Sequence, residues 1–242
     1  MGYVDLHSHV LPALDDGSPD MATTMAMLQG LNEVGFEQVL ATPHQKAAQF
    51  LPAISSIHRA HVEARGAVTE AGIGLTLGVA AENFWDDVFF SRMRDMSFPR
   101  YNEGRAFLFE IPTSEIPVRF EDTLFEFSTR GYLPVMAHPE RYTPFWKDLD
   151  RLERIGRSCA LVVDLAALAG YHGFRLGRLA KRLVADGIAH AVASDVHTPS
   201  DIRQAAEGIG WIRKRLGEEV VTRLLLENPR CILSGELPDR QR

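Results

Sequence analysis

The chain has 242 residues, 45% of them hydrophobic and 24% charged, with a formal net charge of −6. This is the make-up of an ordinary globular protein, and the acidic balance argues against a general binder of nucleic acid or of anionic membrane. No apolar run reaches the ~18 residues that cross a bilayer, so no membrane insertion is expected.

The length suits one large domain over residues 1–242. Cys159 and Cys231 stand apart in apolar settings, as free thiols do in a reducing compartment. No signal peptide is read, because cleavage would remove His7, and the expected location is the cytoplasm.

In chain order, Tyr3–Leu6 reads as a short buried strand, and Ser18 or Asp20 caps a helix that runs to Val34 with Gly35 as its stop. Gln38–Ala41 is the next strand, followed by a helix over Ala53–Ala71. Leu75–Ala80 and Ala106–Phe109 are strands, and the aromatic-rich stretch between them, 83–105, reads as a loop packed on the body of the protein, or else as a substrate lip or a subunit contact. A helix over Phe120–Thr129, a strand over Leu133–Ala137, a helix over Asp148–Ile155 and a strand over Ala160–Leu165 follow. The last units are a helix over Phe174–Ala185, a strand over Ala189–Ala193 and a helix over Pro199–Leu216. A final helix over Glu218–Leu226 is stopped by Asn228-Pro229. Seven short apolar runs joined mostly by helices predict an α/β barrel.

The chemistry lies where the strands end. Strand one releases His7 and His9, which share a face because they are two residues apart on an extended chain. Asp15 and Asp16 follow in a Gly-terminated turn. Later strands release His44, Glu82, Glu110, His138 and the pair Asp195 and His197, and the remaining strand carries Asp164 near its end. A His-x-His pair alone arises often by chance. Parallel barrels, however, build their sites at the C-terminal ends of strands, and this many metal-ligating residues there indicate a polynuclear metal site. His7, His9, Asp16, His44, Glu82, Glu110, His138, Asp195 and His197 make five imidazoles and four carboxylates, enough for two or three divalent ions. Without thiolates the set suits Mn, Fe or Zn held by nitrogen and oxygen. Three such ions leave the site positive, which favours an anionic substrate such as a phosphate. Arg141 could clamp a phosphoryl group with its planar fork or serve as a loop salt bridge.

Competing motifs fail. Neither cysteine is followed by the Arg of a Cys-x5-Arg phosphatase loop, since Leu165 and Leu237 stand there. Asp148-Leu-Asp150 follows no apolar strand, and it reads as an acidic helix start. His58, His61, His172 and His190 are left outside the site; His61 is placed within reach of an acidic side chain.

The residues Asp5-Leu-His-Ser-His9, Asp15-Asp16-Gly17, Ala41-Thr-Pro-His44, Glu82, Glu110, His138-Pro-Glu-Arg-Tyr142 and Ala193-Ser-Asp-Val-His197 occur in the order seen in PHP-superfamily phosphoesterases. Within that superfamily the chain resembles the bacterial capsule and exopolysaccharide type of protein-tyrosine phosphatase, the CpsB/CapC/YwqE kind. The resemblance implies a distorted (β/α)7 TIM-like barrel, the PHP fold, with a site that is most often Mn-dependent. It places one ion on His7, His9, Glu82 and Asp195, a second on Glu82, Glu110 and His138, and a third on Asp16, His44 and His197. It gives Arg141 to the phosphate. A metal-bridging hydroxide would attack phosphotyrosine on the tail of a bacterial tyrosine autokinase that governs capsule or exopolysaccharide synthesis. Two positions depart from the pattern. Gln45 stands where relatives often have a second His, and Thr198-Pro-Ser-Asp-Ile-Arg203 replaces an Arg-Pro-Pro stretch, which makes Arg203 the candidate for a second phosphate-binding group. The alternatives are a small-molecule phosphomonoesterase of the histidinol-phosphate or sugar-phosphate kind, and a non-catalytic docking partner stapled by metal. A homo-oligomer is compatible with the sequence. Truncation at the N-terminus is expected to cost activity before it costs the fold.

Overall fold

The computed structural model describes residues 2–239. Nine strands are found among them: β1 (Tyr3–Ser8), β2 (Phe36–Ala41), β3 (His44–Gln45), β4 (Thr76–Val79), β5 (Glu82–Phe84), β6 (Ala106–Glu110), β7 (Leu133–Ala137), β8 (Ala160–Asp164) and β9 (Ala191–Ala193). All ladders between them are parallel, in the orders β1-β2-β4 and β3-β5-β6-β7-β8-β9. The two sheets are halves of one object. β2 runs on into β3 across Thr42-Pro43, and β4 runs on into β5 across Ala80-Ala81, each pair forming one broken stave. Proline lacks the N–H that a continuous ladder needs, which accounts for the first break. The circle closes between β1 and the end of β9, where Ser8 bridges Val196, Asp195 N donates to His7 O at 2.9 Å and His9 N donates to Val196 O at 2.9 Å. Seven staves therefore form a distorted barrel.

The pleat divides the core in two. Along β6, Ala106 and Leu108 point into the barrel while Phe107 and Phe109 point out to the helices, and Val135, Val162 and Ala193 fill the interior likewise. The outer layer consists of α1 (Met21–Val34), α2 (Ile54–Glu70), α3 (Asp87–Met93), α4 (Phe120–Thr129), α5 (Leu149–Ile155), α6 (Leu165–Ala169), α7 (Phe174–Ala185), α8 (Asp201–Leu216), α9 (Glu218–Thr222) and α10 (Asn228–Leu233). Asp20, rather than Ser18, caps α1 by accepting from Thr23 N at 2.8 Å, and Gly35 ends it at φ 114°, a left-handed turn that glycine adopts without strain. Val4 and Leu6 of β1 are fully buried inside the barrel, so removing this strand would cost the fold together with the site, against the expectation from sequence.

Two stretches differ from their sequence reading. Segment 83–105 is no simple loop: Asp86 accepts from Val88 N and Phe89 N, both at 3.0 Å, and so nucleates α3. Its aromatics pack inward, with Trp85, Phe89, Phe98 and Tyr101 buried and the Tyr101 hydroxyl donating to Leu6 O at 2.8 Å. At the C-terminus, Asn228-Pro229 does not stop the helix. A π-helical turn over Arg223–Glu227 widens the backbone just before Pro229, and the chain continues helical to Leu233. The wider turn relieves the clash of a proline ring with the preceding carbonyls, and Ile232 is left to plug the barrel floor.

Candidate metal centre

Three backbone irregularities aim side chains into the barrel mouth. The first is a bulge in β1. Its register runs from Asp5 opposite Val39 to Ser8 opposite Ala41, so β1 holds one residue more than its partner. Val4 and Leu6 face the interior, and strict alternation would continue with Ser8. The extra residue flips the parity and turns His7 and His9 inward instead. The other two are left-handed residues just past strand ends, His138 directly after β7 at φ 32° and Asp195 two residues after β9 at φ 48°. For non-glycine residues such a conformation costs about 1–3 kcal/mol, and both side chains it redirects enter the mouth. His44, Glu82 and Glu110 need no such device, since they keep the parity of Leu40, Ala80 and Leu108.

All nine metal candidates converge. His7 Nε2 and His9 Nε2 lie 3.3 and 3.5 Å from Asp195 Oδ1, and 3.5 and 3.6 Å from Glu82 Oε2. His138 Nε2 is 2.8 Å from Glu82 Oε1 and 4.0 Å from Glu110 Oε2. His44 Nε2 and His197 Nε2 lie 3.4 and 3.6 Å from Asp16 Oδ1. Donor atoms ~2.1 Å from a common ion at tetrahedral angles stand about 3.4 Å apart, so these spacings suit shared cations. Four overlapping groups result, His9-Asp16-His44-His197, His7-His9-Asp195, His7-Glu82-His138 and His44-Glu82-Glu110, with His44 Nδ1 2.8 Å from Glu82 Oε2.

The hydrogen-bond pattern fits metal as well. His44 Nδ1, Glu82 Oε2 and Glu110 Oε1 are buried and crowded together, yet none makes an aligned hydrogen bond. His7 Nε2 and His9 Nε2 face each other at 3.1 Å. Buried polar atoms are otherwise nearly always hydrogen-bonded, and lone pairs aimed at one another call for a cation between them. Tautomers are set from behind. His9 Nδ1 donates to Asp15 Oδ2 at 2.8 Å and His197 Nδ1 donates to Asp195 O at 2.9 Å, which leaves both Nε2 lone pairs toward the mouth.

Electrostatics points the same way. Burial would raise Glu82 and Asp195, but the imidazoles around them, and Arg141 beside Asp195, hold both well below the usual carboxylate range. Burial would lower His7 and His9, yet Asp195 and Glu82 beside both, and Asp15 beside His9, raise them. Glu110 is pushed up to about 7 by burial and by the charge of Glu82. His138 falls to about 4 through burial and the nearby Arg141 charge, so its ring is neutral near pH 7. Carboxylates and imidazoles in the cluster thus compensate one another's charge, a role that divalent ions would take over from the shared protons.

Arg141 stands beside this cluster. Its Nη2 donates to Asp164 Oδ2 at 2.7 Å and also to Asp195 Oδ2. Asp164 does three jobs. Its Oδ1 caps α6 by accepting from Ala166 N at 2.7 Å, and its Oδ2 meets both Arg141 and His172 Nε2, the latter at 2.7 Å. Glu140 Oε1 accepts from Asp164 N at 3.1 Å and steadies the arrangement. Arg203 lies elsewhere: it is 80% exposed on α8, where its Nε donates to Glu207 Oε1 at 2.8 Å, and it touches none of the nine candidates. Gln45 is buried but serves structure, its amide donating to Pro52 O and its oxygen accepting from Arg92.

Several contributors escape sequence reasoning. Asp15, read as turn structure, orients His9 and also accepts from His44 N at 3.0 Å; its place beside Asp16 was the available signal. Lys46 places its ammonium 3.9 Å from Glu110 Oε1 and 4.3 Å from the Phe84 ring centroid, next in sequence to Gln45. His172, set aside as a turn residue, bonds Asp164, which no local pattern foretells. His61 reaches Leu77 O at 2.9 Å rather than a carboxylate, while His190 lies buried away from the mouth and accepts from Leu161 N.

Residues 3–234 match the family described as capsular polysaccharide synthesis, CpsB/CapC. The chain belongs to that family. Among its relatives, the tyrosine-protein phosphatase YwqE of Bacillus subtilis is 26% identical, over 98% of this chain and 94% of its own. The tyrosine-protein phosphatase CpsB of Streptococcus pneumoniae is 22% identical, over 97% and 99%. A solved chain from the crystal structures of YwqE and CpsB, described as unique metal-dependent tyrosine phosphatases, superposes with a TM-score of 0.90 at 26% identity, covering 98% of this chain and 97% of that one.

Proposed function

We propose that this protein is a metal-dependent phosphatase that hydrolyses phosphotyrosine on proteins. The observation that carries the reading is the convergence of nine nitrogen- and oxygen-bearing side chains in four overlapping groups at the barrel mouth, with the Arg141 guanidinium bound to one of them, Asp195. Full-length relatives that are metal-dependent tyrosine phosphatases support it.

In this reading His7, His9, Glu82 and Asp195 hold one ion, Glu82, Glu110 and His138 a second, and Asp16, His44 and His197 a third. Manganese is the assigned metal, with iron or zinc compatible with the same donors. Bound there, such ions would supply a nucleophile from water near neutral pH and positive charge for the phosphoryl oxygens. The chain's own residues do the rest. Arg141 is held by Asp164 and Asp195 through Nη2, which leaves the Nη1 and Nε N–H groups for phosphoryl oxygens, a planar set of donors lysine cannot reproduce. Asp15 and the Asp195 carbonyl fix His9 and His197 with their Nε2 lone pairs forward. Arg141 is 28% exposed and Asp16 48%, so the mouth opens to solvent at its rim. An open mouth suits phosphotyrosine carried on a polypeptide better than an enclosed metabolite. The natural partner in this reading is the tyrosine-bearing tail of a kinase in capsule synthesis, and the place of action is the cytoplasm; no helix among the described residues is long and apolar enough to cross a membrane.

The test is phosphate release by manganese-loaded protein from a panel of a phosphotyrosine peptide, a phosphoserine peptide, histidinol phosphate and sugar phosphates. The phosphotyrosine peptide should show the highest kcat/KM; a far higher value on a metabolite would replace this reading with a small-molecule phosphomonoesterase.

A further inference from the structure

Beside the residues that hold Arg141 lies a groove of about 440 Å³, lined by Trp146, Lys147, Phe174, Arg175, Arg178 and Arg182 among others. Both of its walls begin at the Arg141 support. Trp146 follows the short helical turn that carries Arg141, and its Nε1 donates to Glu140 O at 3.0 Å. Phe174 comes two residues after His172, whose Nε2 meets the same Asp164 oxygen that binds Arg141. A polypeptide presenting a residue to Arg141 passes over adjoining surface, and this groove adjoins it.

The chemistry of the groove is unlike that of the chain as a whole. Phe174 is 81% exposed, a large aromatic ring left in water at the first turn of α7. No carboxylate lines the groove, although the chain carries a net charge of −6. Arg182 is paired with Asp186 at 3.1 Å, but Lys147, Arg175 and Arg178 have no carboxylate partner among the described residues. Arg175, Arg178 and Arg182 fall at i, i+3 and i+7, which makes a single stripe on α7. Seven residues of helix rise about 10 Å, the length of about three residues of extended peptide. Unpaired cations beside an exposed Phe174 ring and a half-buried Trp146 match carboxylates interleaved with apolar or aromatic side chains.

We propose that this groove docks an acidic segment of the phosphotyrosine-bearing protein, adjacent in its sequence to the phosphotyrosine that Arg141 receives. The proposal rests on the phosphatase reading above and adds to it a determinant of substrate choice outside the metal centre.

The experiment uses the full, metal-loaded chain and two phosphotyrosine peptides with the same core, one flanked by Glu and Asp, the other by Gln and Asn. Free phosphotyrosine is the reference substrate. The acidic peptide should show a KM about tenfold lower with kcat unchanged, the sum expected of three exposed ion pairs, and high salt should erase the advantage. Combining Arg175→Glu with Arg178→Glu should abolish the preference and leave the kinetics on free phosphotyrosine as they were. In parallel, fluorescence anisotropy of the unphosphorylated acidic peptide reads docking without chemistry: the wild type should bind it and the double variant should not. Equal KM for the two peptides in the wild type, or equal peptide binding by the variant, overturns the groove and leaves the phosphatase reading standing. Acidic-peptide binding lost in the variant, in a protein that releases no phosphate from any phosphotyrosine, upholds the groove and overturns the phosphatase reading.

Discussion

Arg141 and Asp164 are joined at 2.7 Å across two different staves of the barrel, and the Asp164 side chain is almost wholly buried. Asp195, the other carboxylate on Arg141, belongs to the proposed metal set, so once an ion occupies Asp195 the guanidinium depends on Asp164 for its orientation. Asp164→Asn should therefore lower kcat/KM on a phosphotyrosine peptide by about 10- to 100-fold while the bound metal stays constant. Steady-state kinetics alongside elemental analysis would check this; unchanged kinetics would mean that Arg141 is positioned by something else.

Arg141→Lys keeps the charge but removes the planar fork. A loss of about a hundredfold in kcat/KM is expected, with fold and metal content intact, because bidentate contact with a phosphoryl group is lost. Arg203→Ala should change little, since Arg203 is engaged with Glu207 on the outer surface. Measuring both variants under one protocol separates the two arginines, and comparable losses would place Arg203 back at the phosphate.

Asp15→Asn weakens the group that orients His9 and holds its Nδ1 proton. Burial would raise the Asp15 carboxyl, but the His9 hydrogen bond and charge, with the His44 and Gly17 N–H groups, hold it at about 2. It is thus ionised throughout the neutral range. The substitution should weaken metal binding by about 10- to 100-fold, read by metal titration, without abolishing folding.

The sequence disclosed much of this molecule, for identifiable reasons. Strand ends were legible because short apolar runs stop abruptly at His44, Glu82, Glu110 and His138, and because parallel barrels put such ends on one face. What set the aim of the side chains was hidden. The β1 bulge that turns His7 and His9 inward depends on register against β2, and the left-handed turns at His138 and Asp195 depend on tertiary strain. Long-range partners were hidden for the same reason: nothing local joins His172 to Asp164, or Asp15 to the ring of His9. The break of β2 at Pro43 was visible in principle. The survival of the last helix through Pro229 was not, because it needs a π turn that no residue pattern announces.

Glu140 offers a test by pH. Burial, reinforced by the Asp164 charge, pushes its carboxyl from the ordinary 4.5 up to about 8. A group whose folded pKa is raised stabilises the fold fully below its unfolded value, and that contribution is lost as pH rises through the folded one. Glu140→Gln retains an acceptor for Asp164 N and removes the titration. From about pH 5 to about pH 9 the wild-type Tm should drop relative to the variant by several degrees, on the order of 2–4 °C per kcal/mol for a chain of this size. Parallel Tm curves would show that Glu140 does not titrate in this window.

On the function proposed above, nine converging side chains hold divalent ions and hydrolyse phosphotyrosine with them. Its most direct test is one titration: protein stripped by chelator, manganese added stepwise, and bound metal and phosphate release from a phosphotyrosine peptide measured in the same samples. The stripped protein should show no turnover, and activity should climb as two or three ions bind per chain, with both signals much reduced in His44→Ala. Full turnover without metal, or ions bound to saturation with no phosphate released, would contradict it.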